Sequence, residues 1–246
     1  MAVDELLLAA AVEEGLATLR LYLWNEPTLS LGYFQSYDER HQHAASKECA
    51  VVRRQSGGGA ILHDHELTYS LALPASSPFA RNAEQLYTIV HSAIIDVLWP
   101  HDRTHSLGWN LSLRAGSNIA RAAKEPFLCF QRQARGDIVL TSKTSSTAAT
   151  ETWKIMGSAQ RRNRGAILQH GSLLINQSRA APELPGLYDL VATNLTVDQL
   201  TGQIPARLKI ALNADFQSVP LPEKLHPTAE KLAQTKYKST AWTHRR

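Results

Sequence analysis

A chain of 246 residues is long enough to bury a substantial core and fits one domain better than two. Its composition, 43% hydrophobic, 20% charged and 7% aromatic, excludes a disordered polymer, and no apolar run approaches the roughly 20 residues of a membrane span. The formal charge of +4 points to a partner of opposite sign; nucleic acid is one candidate, but the aromatics are not interleaved with basic residues as a single-strand groove requires, and an acidic protein fits at least as well.

Residues Val3 to Glu14 alternate apolar and acidic side chains at helical spacing, with Gly15 as the stop. The apolar run from Leu6 to Val12 is short and flanked by acids, unlike a signal peptide, so a cytoplasmic protein is expected. Ala17 to Trp24 and Leu29 to Gln35 read as strands around a turn at Asn25 to Pro27, and Asp38 to Cys49 as a short surface helix. Strands are expected at Cys49 to Arg53, Ala60 to His63 and Leu67 to Leu73. Between the first two lie Ser56 and three glycines, Gly57, Gly58 and Gly59, which are costly to order. Either they form a plain hairpin turn, or their bare N–H groups, with Arg53 and Arg54 beside them, cradle an anion or a carbonyl.

Ala83, Leu86, Tyr87, Val90, Ile94, Val97 and Leu98 predict a helix over Asn82 to Trp99, lying across one face of the sheet and stopped by Pro100. His101 to Lys124 has few large apolar side chains and no sustained period, which predicts a long irregular segment, a cover over a site or plain surface variation. Asp137 to Leu140, Trp153 to Met156, Gly165 to Leu168 and Ser172 to Ile175 read as four strands of a meander, with a hairpin tip in the Ser/Thr-rich stretch from Thr141 to Thr152. Turns follow from Ala181 to Leu187. Helices are expected at Tyr188 to Leu200 and from Pro227 to Tyr237, the chain closing on Trp242.

Two side chains stand out chemically. Lys154 lies among apolar strand residues just before Gly157, Ser158 and Ala159. It either points to solvent from an edge strand or donates to a carbonyl oxygen that is gaining negative charge. Cys129 is either a buried inert thiol or a nucleophile, with Arg132, Arg135 and Lys154 as candidate cationic neighbours. Cys49, within a strand-like run, is read as inert. No disulfide is expected, and the ten histidines fall into no metal-ligand spacing, so no metal site is assigned.

The run RRQSGGGAILHDHELTYSLALP at 53–74, the opening LRLYLWNEPTLSLGYFQ at 19–35, and KIMGSAQRR at 154–162 followed by LQHGSLLI at 168–175 resemble the lipoate ligase, octanoyltransferase and biotin ligase superfamily. The cysteine in LCF at 128–130 is similar to the one that ligase-like octanoyltransferases acylate. The resemblance implies an α/β (α+β) domain with a mixed, mostly antiparallel sheet flanked by helices, over residues 1–246 and without a C-terminal accessory domain. It implies an octanoyl transferase of protein lipoylation in which Cys129 carries the acyl group as a thioester and Lys154 polarises the acyl carbonyl.

Arg54, Ser56, Gly57, Gly58, Gly59 and His63 would close the acyl pocket, Gly157, Ser158 and Ala159 flank the lysine, and His170 and Gly171 form the floor. Trp24, Tyr33 and Phe34 would lie beside the pocket; packing alone would make them core aromatics. The implied partners are an acyl carrier protein and lipoyl domains or the glycine cleavage H protein, with no nucleic acid or membrane, and the enzyme is expected to be a monomer without cofactor. The alternative is an ATP-dependent lipoate ligase, using ATP and Mg2+ and acting through lipoyl-adenylate. A third reading is a member that only binds acyl groups or moves them between lipoyl proteins. The Ser/Thr-rich stretch is longer than in the transferases, which leaves the placing of Cys129 against Lys154 to the structure.

Overall fold

A computed structural model describes residues 1–99, 108–116, 125–142 and 150–245. In chain order the elements are α1 (Ala2–Glu13), β1 (Thr18–Tyr22), β2 (Thr28–Leu31), β3 (Ala50–Arg53), β4 (Ile61–His63), β5 (Glu66–Leu73), α2 (Ala83–Leu98), β6 (Trp109–Leu113), β7 (Ile138–Ser142), β8 (Thr152–Asn163), β9 (Ala166–Leu174), α3 (Leu187–Leu190), α4 (Val197–Leu212), α5 (Leu225–Leu232) and α6 (Thr240–Thr243). Six strands form an antiparallel sheet in the order β1-β5-β9-β8-β7-β6, and β3-β2-β4 form a smaller sheet in which β2 and β3 run parallel. The expected mixed, mostly antiparallel α/β architecture is thus present. No helix among the described residues is long and apolar enough to cross a membrane.

Strand alternation gives the large sheet two different faces. Leu67, Tyr69, Leu71 and Leu73 of β5 point to one side, where they join the core built with Leu86, Val90 and Ile94 of α2 and Leu200, Ile204 and Leu208 of α4. Each such side chain contributes about 1.5–3 kcal/mol by leaving water. Asn82 starts α2 by accepting a hydrogen bond from the Gln85 N–H, which satisfies one of the orphan donors of the first turn. On the other side Ala72, Ala166 and Leu168 receive Leu7, Leu8 and Ala11 of α1. On that side too, Leu174 of β9 joins a cluster with Leu29, Leu31 and Leu62 of the small sheet.

Several expectations are corrected. The irregular segment placed at His101 to Lys124 contains β6, whose Leu111 is buried and which pairs along its length with β7; residues 101–107 and 117–124 lie outside the described ones. The proposed tip from Thr141 to Thr152 falls largely at 143–149, also outside them, as does Pro100. The four-strand meander is three strands: the two runs expected at Gly165–Leu168 and Ser172–Ile175 merge into one strand, β9, over Ala166–Leu174, because β5 and β8 pair with it on both sides straight through Gly171. The helix expected at Tyr188 to Leu200 is split into α3 and α4. Thr196 and Gln199 form a capping box there, and α4 then runs on through Pro205 to bury Leu208 and Leu212 beside α2. Asp38 to Cys49 holds two 3-10 turns, Asp38–Gln42 and Ala44–Ser46, in place of one helix. The final helix ends at Leu232 in a π-helical turn over Ala233–Tyr237 before α6.

Candidate active site

Between the two sheets lies a cavity of about 520 Å³, counting its open mouth. Its lining combines the inner face of the large sheet with β4, the glycine loop and the turn that carries Cys129. Of the residues singled out from the sequence, Arg54, Gly57, Gly58, His63, Cys129, Lys154, Gly157, Ser158, Ala159, His170 and Gly171 line it. Ser56 and Gly59 stand just behind.

Lys154 is not on an edge strand. β8 lies between β7 and β9, and Lys154 is only 7% exposed. A buried ammonium requires compensation, and it comes from a residue to which sequence reasoning gave no role: Asp137, fully buried, whose Oδ2 is 2.9 Å from Lys154 Nζ. Asp137 is oriented in turn by Tyr87 of α2, which donates to Oδ1 at 2.7 Å, and by the Ala134 N–H, which donates to Oδ2 at 2.7 Å. The sequence carried no signal for it, because Lys154 demands a buried acid only once β7 and β9 flank its strand, and Asp137, directly before β7, is brought to it by that pairing. Burial alone would lower the Lys154 pKa, but the Cys129 sulfur and the Asp137 carboxylate outweigh it and raise the value, so the group is a permanent cation at neutral pH.

Cys129 sits on a 3-10 turn, Cys129–Gln131, and not within an apolar strand. Two backbone bonds tie that turn to the end of the glycine loop: the Ala60 N–H donates to the Phe127 carbonyl at 3.0 Å, and the Cys129 N–H donates to the Ala60 carbonyl at 2.7 Å. They bring the sulfur to 3.8 Å from Lys154 Nζ. An ammonium has three donors. With Asp137 and Cys129 served, one donor remains for an oxygen in the cavity. Gly157 makes the approach possible, since a Cβ there would lie 2.5 Å from Lys154 Cε and 2.7 Å from Nζ.

The two loop arginines have different tasks. Arg53 does not line the cavity: it is fully buried, and its guanidinium donates to the carbonyls of Thr243, Gly32 and Gln35. Arg54 donates to the carbonyls of Ser30, Gly57 and Gly59, holding the glycine loop in its curve. Burial brings its pKa down to about 10, against an upward pull from the Cys129 sulfur, so it too is charged at neutral pH. Gly58 has φ +95, and Gly32 must be bare because a Cβ there would lie 2.0 Å from the Gly58 carbonyl oxygen.

His170 Nε2 is 2.5 Å from the Ser56 hydroxyl, and its Nδ1 is 3.8 Å from Asp4 of α1. Burial lowers the His170 pKa to about 4, overriding the opposing influence of Asp4. His63 stacks on Trp24, 4.1 Å between centroids, and its Nδ1 meets Glu66 at 2.7 Å. Trp24 therefore backs a cavity residue. Phe34 is neither core nor lining, being 68% exposed. Ser158 and Gly171 contribute differently from the expectation: the Ser158 hydroxyl points to the α2 side of the sheet, between Tyr69 at 2.8 Å and His91 at 2.7 Å. A Cβ on Gly171 would strike that hydroxyl at 2.1 Å. What β8 and β9 offer the cavity at these positions is backbone. Met1, Tyr22, Ile61, Thr68, Phe130 and Ser172 complete the lining and were not foreseen.

Among proteins of known name, this chain is 29% identical to the octanoyltransferase LipM of Staphylococcus epidermidis, over 100% of this chain and 94% of the relative. It is 27% identical to that of Bacillus subtilis, over 100% and 93%. Among solved structures it resembles a bipartite lipoate protein ligase of Thermoplasma acidophilum, with TM-score 0.68 at 19% identity over 99% of this chain and 89% of the other. A lipoate-protein ligase A bound with ATP gives 0.67 at 20% identity over 99% and 92%. The sequence model of the lipoyl protein ligase A/B catalytic domain matches residues 1–183, and to that family the chain belongs.

Proposed function

We propose that this protein is an acyltransferase of protein lipoylation, moving an octanoyl or lipoyl group from a carrier-protein thioester to the lysine of a lipoyl domain through a thioester on Cys129. The observation that carries this reading is the 3.8 Å approach of Lys154 Nζ to Cys129 Sγ on the wall of the cavity. The similarity to octanoyltransferases over the whole chain supports it.

In the first step the sulfur attacks the carbonyl carbon of the donor thioester. Charge gathers on the carbonyl oxygen, towards which the remaining Lys154 N–H can donate. The donor C–S bond then breaks, and the departing sulfur takes up the proton that the Cys129 thiol gives up, so that the carrier leaves as a thiol. In the second step the acceptor amine attacks the Cys129 thioester, an amide forms, the C–S bond to Cys129 breaks, and the proton lost by the amine restores the thiol. Lys154 keeps its charge throughout, because Asp137 holds its proton in place.

The alternative is an ATP-dependent lipoate ligase, favoured by the lipoate ligases among the solved structures of similar fold. Such an enzyme has no use for a sulfur beside the lysine. Among the described residues no group of three or more His, Cys, Asp or Glu converges to hold a metal, so the Mg2+ of that reading would rest on the nucleotide's phosphates. Intact mass after incubation with octanoyl acyl carrier protein separates the two. The transferase gains one hydroxylamine-labile octanoyl group, and Cys129→Ala loses both the adduct and transfer to a lipoyl domain. ATP-dependent lipoylation that survives in Cys129→Ala identifies a ligase.

A further inference from the structure

One face of β8 carries two surfaces. Gly157 and Ala159 line the cavity, and Arg161, next along the same face, continues outward beyond its mouth. Its guanidinium carbon lies 5.8 Å from the centroid of Tyr33, and that of Arg245, from the C-terminal segment, lies 4.1 Å from the same centroid. Both arginines are exposed, and neither has a carboxylate at ion-pair distance among the described residues. Two cations held on one ring with no acid between them repel each other, a cost that an external anion relieves. Arg162, next on the strand, points to the other face, where it donates to the Arg81 carbonyl at 3.3 Å, and is not part of this surface. Beside it Phe34, edge-on to Tyr33 at 4.9 Å, exposes 68% of its surface. It is linked to the cavity through the glycine loop, since a Cβ on Gly57 would meet the Phe34 ring at 3.7 Å.

We propose that the patch formed by Phe34, Arg161 and Arg245 docks the acyl donor, an acidic carrier domain that bears its thioester on a long phosphate-linked arm. The inference rests on the transferase reading for its choice of donor. Arginines around an exposed apolar side chain suit an acidic protein surface with one apolar contact, whereas a single-stranded nucleic acid needs a row of stacking platforms. Distance selects the donor over the acceptor. Lys154 and Arg161 are seven residues apart on β8, roughly 23 Å at about 3.3 Å per residue. Measured from Arg161, that span exceeds the four methylenes of an acceptor lysine. A carrier arm can bridge it.

The test compares three proteins: wild type, Arg161→Glu with Arg245→Glu, and an equal charge reversal on α4, Arg207→Glu with Lys209→Glu. Binding of the non-acylated carrier domain is followed by fluorescence anisotropy, which needs no chemistry. Acylation of Cys129 is followed by intact mass with two donors, octanoyl carrier protein and octanoyl-N-acetylcysteamine, which has neither the domain nor the phosphate. Patch reversal is expected to weaken carrier binding and raise the KM for octanoyl carrier protein by about tenfold or more at low salt, with the acylation rate from the small donor unchanged. The α4 reversal should leave carrier binding nearly unaffected. Phe34→Ala should weaken carrier binding without altering its salt dependence.

Equal loss in the two reversals overturns the proposal, since net charge alone would then be responsible, and so does a loss of acylation from both donors. Slower transfer from preformed acyl-enzyme to a lipoyl domain, with carrier binding intact, would assign the patch to the acceptor and likewise refute it. If wild type binds the carrier domain through the patch but takes no octanoyl group from either donor, the transferase reading fails while the docking surface stands.

Discussion

Lys154 Nζ lies between two partners, 2.9 Å from Asp137 Oδ2 and 3.8 Å from Cys129 Sγ, and is almost wholly removed from water. One ammonium therefore neutralises a buried acid and serves the sulfur that we assign as the acyl carrier. The two tasks separate by mutation.

Lys154→Met should slow acylation of Cys129 by about 10²–10³-fold, the usual cost of losing a donor to a developing oxyanion. It should also destabilise the fold by about 3–5 kcal/mol, because Asp137 is left buried and unpaired. Adding Asp137→Asn to Lys154→Met, which removes the unpaired charge and keeps an acceptor for Tyr87, should recover part of the stability and none of the rate. Chemical denaturation and timed intact-mass measurements read the two effects. Recovery of activity in the double variant would show that the ammonium is structural only.

Gly157→Ala places a methyl group against Lys154 Cε and Nζ and must displace the ammonium. A fall in acylation rate of about tenfold or more is expected, with a stability loss of about 1–3 kcal/mol. Gly202→Ala, within α4 and with open space around its missing Cβ, should instead raise stability by about 0.5–1 kcal/mol and leave activity untouched. Thermal unfolding and single-turnover acylation of both variants provide the check.

Stability should fall on mild acidification. Burial holds the His91 and His170 pKa values down at about 4, against an ordinary value of 6.5. Between those limits the unfolded chain binds protons that the native one does not. The contribution is complete above about pH 6.5 and declines towards pH 4, by roughly 1.4 kcal/mol per pH unit for each group. Urea midpoints at pH 7.5, 6 and 5 measure the slope, and His91→Gln should about halve it. An unchanged slope in that variant would mean that His91 does not titrate in the predicted window.

Arg53→Lys keeps the charge but not the planar fork that reaches Thr243, Gly32 and Gln35. It should cost on the order of 2–3 kcal/mol and free the end of the chain, which Trp242 also anchors by donating to the Arg53 carbonyl at 2.9 Å. Limited trypsin digestion should then cut first after Lys236 or Lys238. A digestion pattern identical to wild type would mean that the C-terminal segment docks without Arg53.

Local pattern was sufficient for much of this molecule. The helical period from Ala83 to Leu98 and the run of bare backbone at Gly57 to Gly59 are properties of adjacent residues, as is the alternation along β5, so they could be read without knowing what packs against them. The motif around Lys154 likewise marked the chemistry, and Cys129 stood out by its intrinsic reactivity. What needed the folded chain was whatever depends on strand order and on which side of a strand a residue faces. Lys154 is interior because β7 and β9 flank β8, and Asp137 becomes its partner only through that pairing. Arg53 and Arg54 are neighbours of the same type that divide between the C-terminal segment and the glycine loop, because successive side chains along a strand point opposite ways. The same alternation sends the Ser158 hydroxyl to the α2 side while Ala159 meets the cavity. Side-chain identity is local information; the environment that turns a lysine into a buried donor beside a sulfur is assembled from segments far apart in the chain.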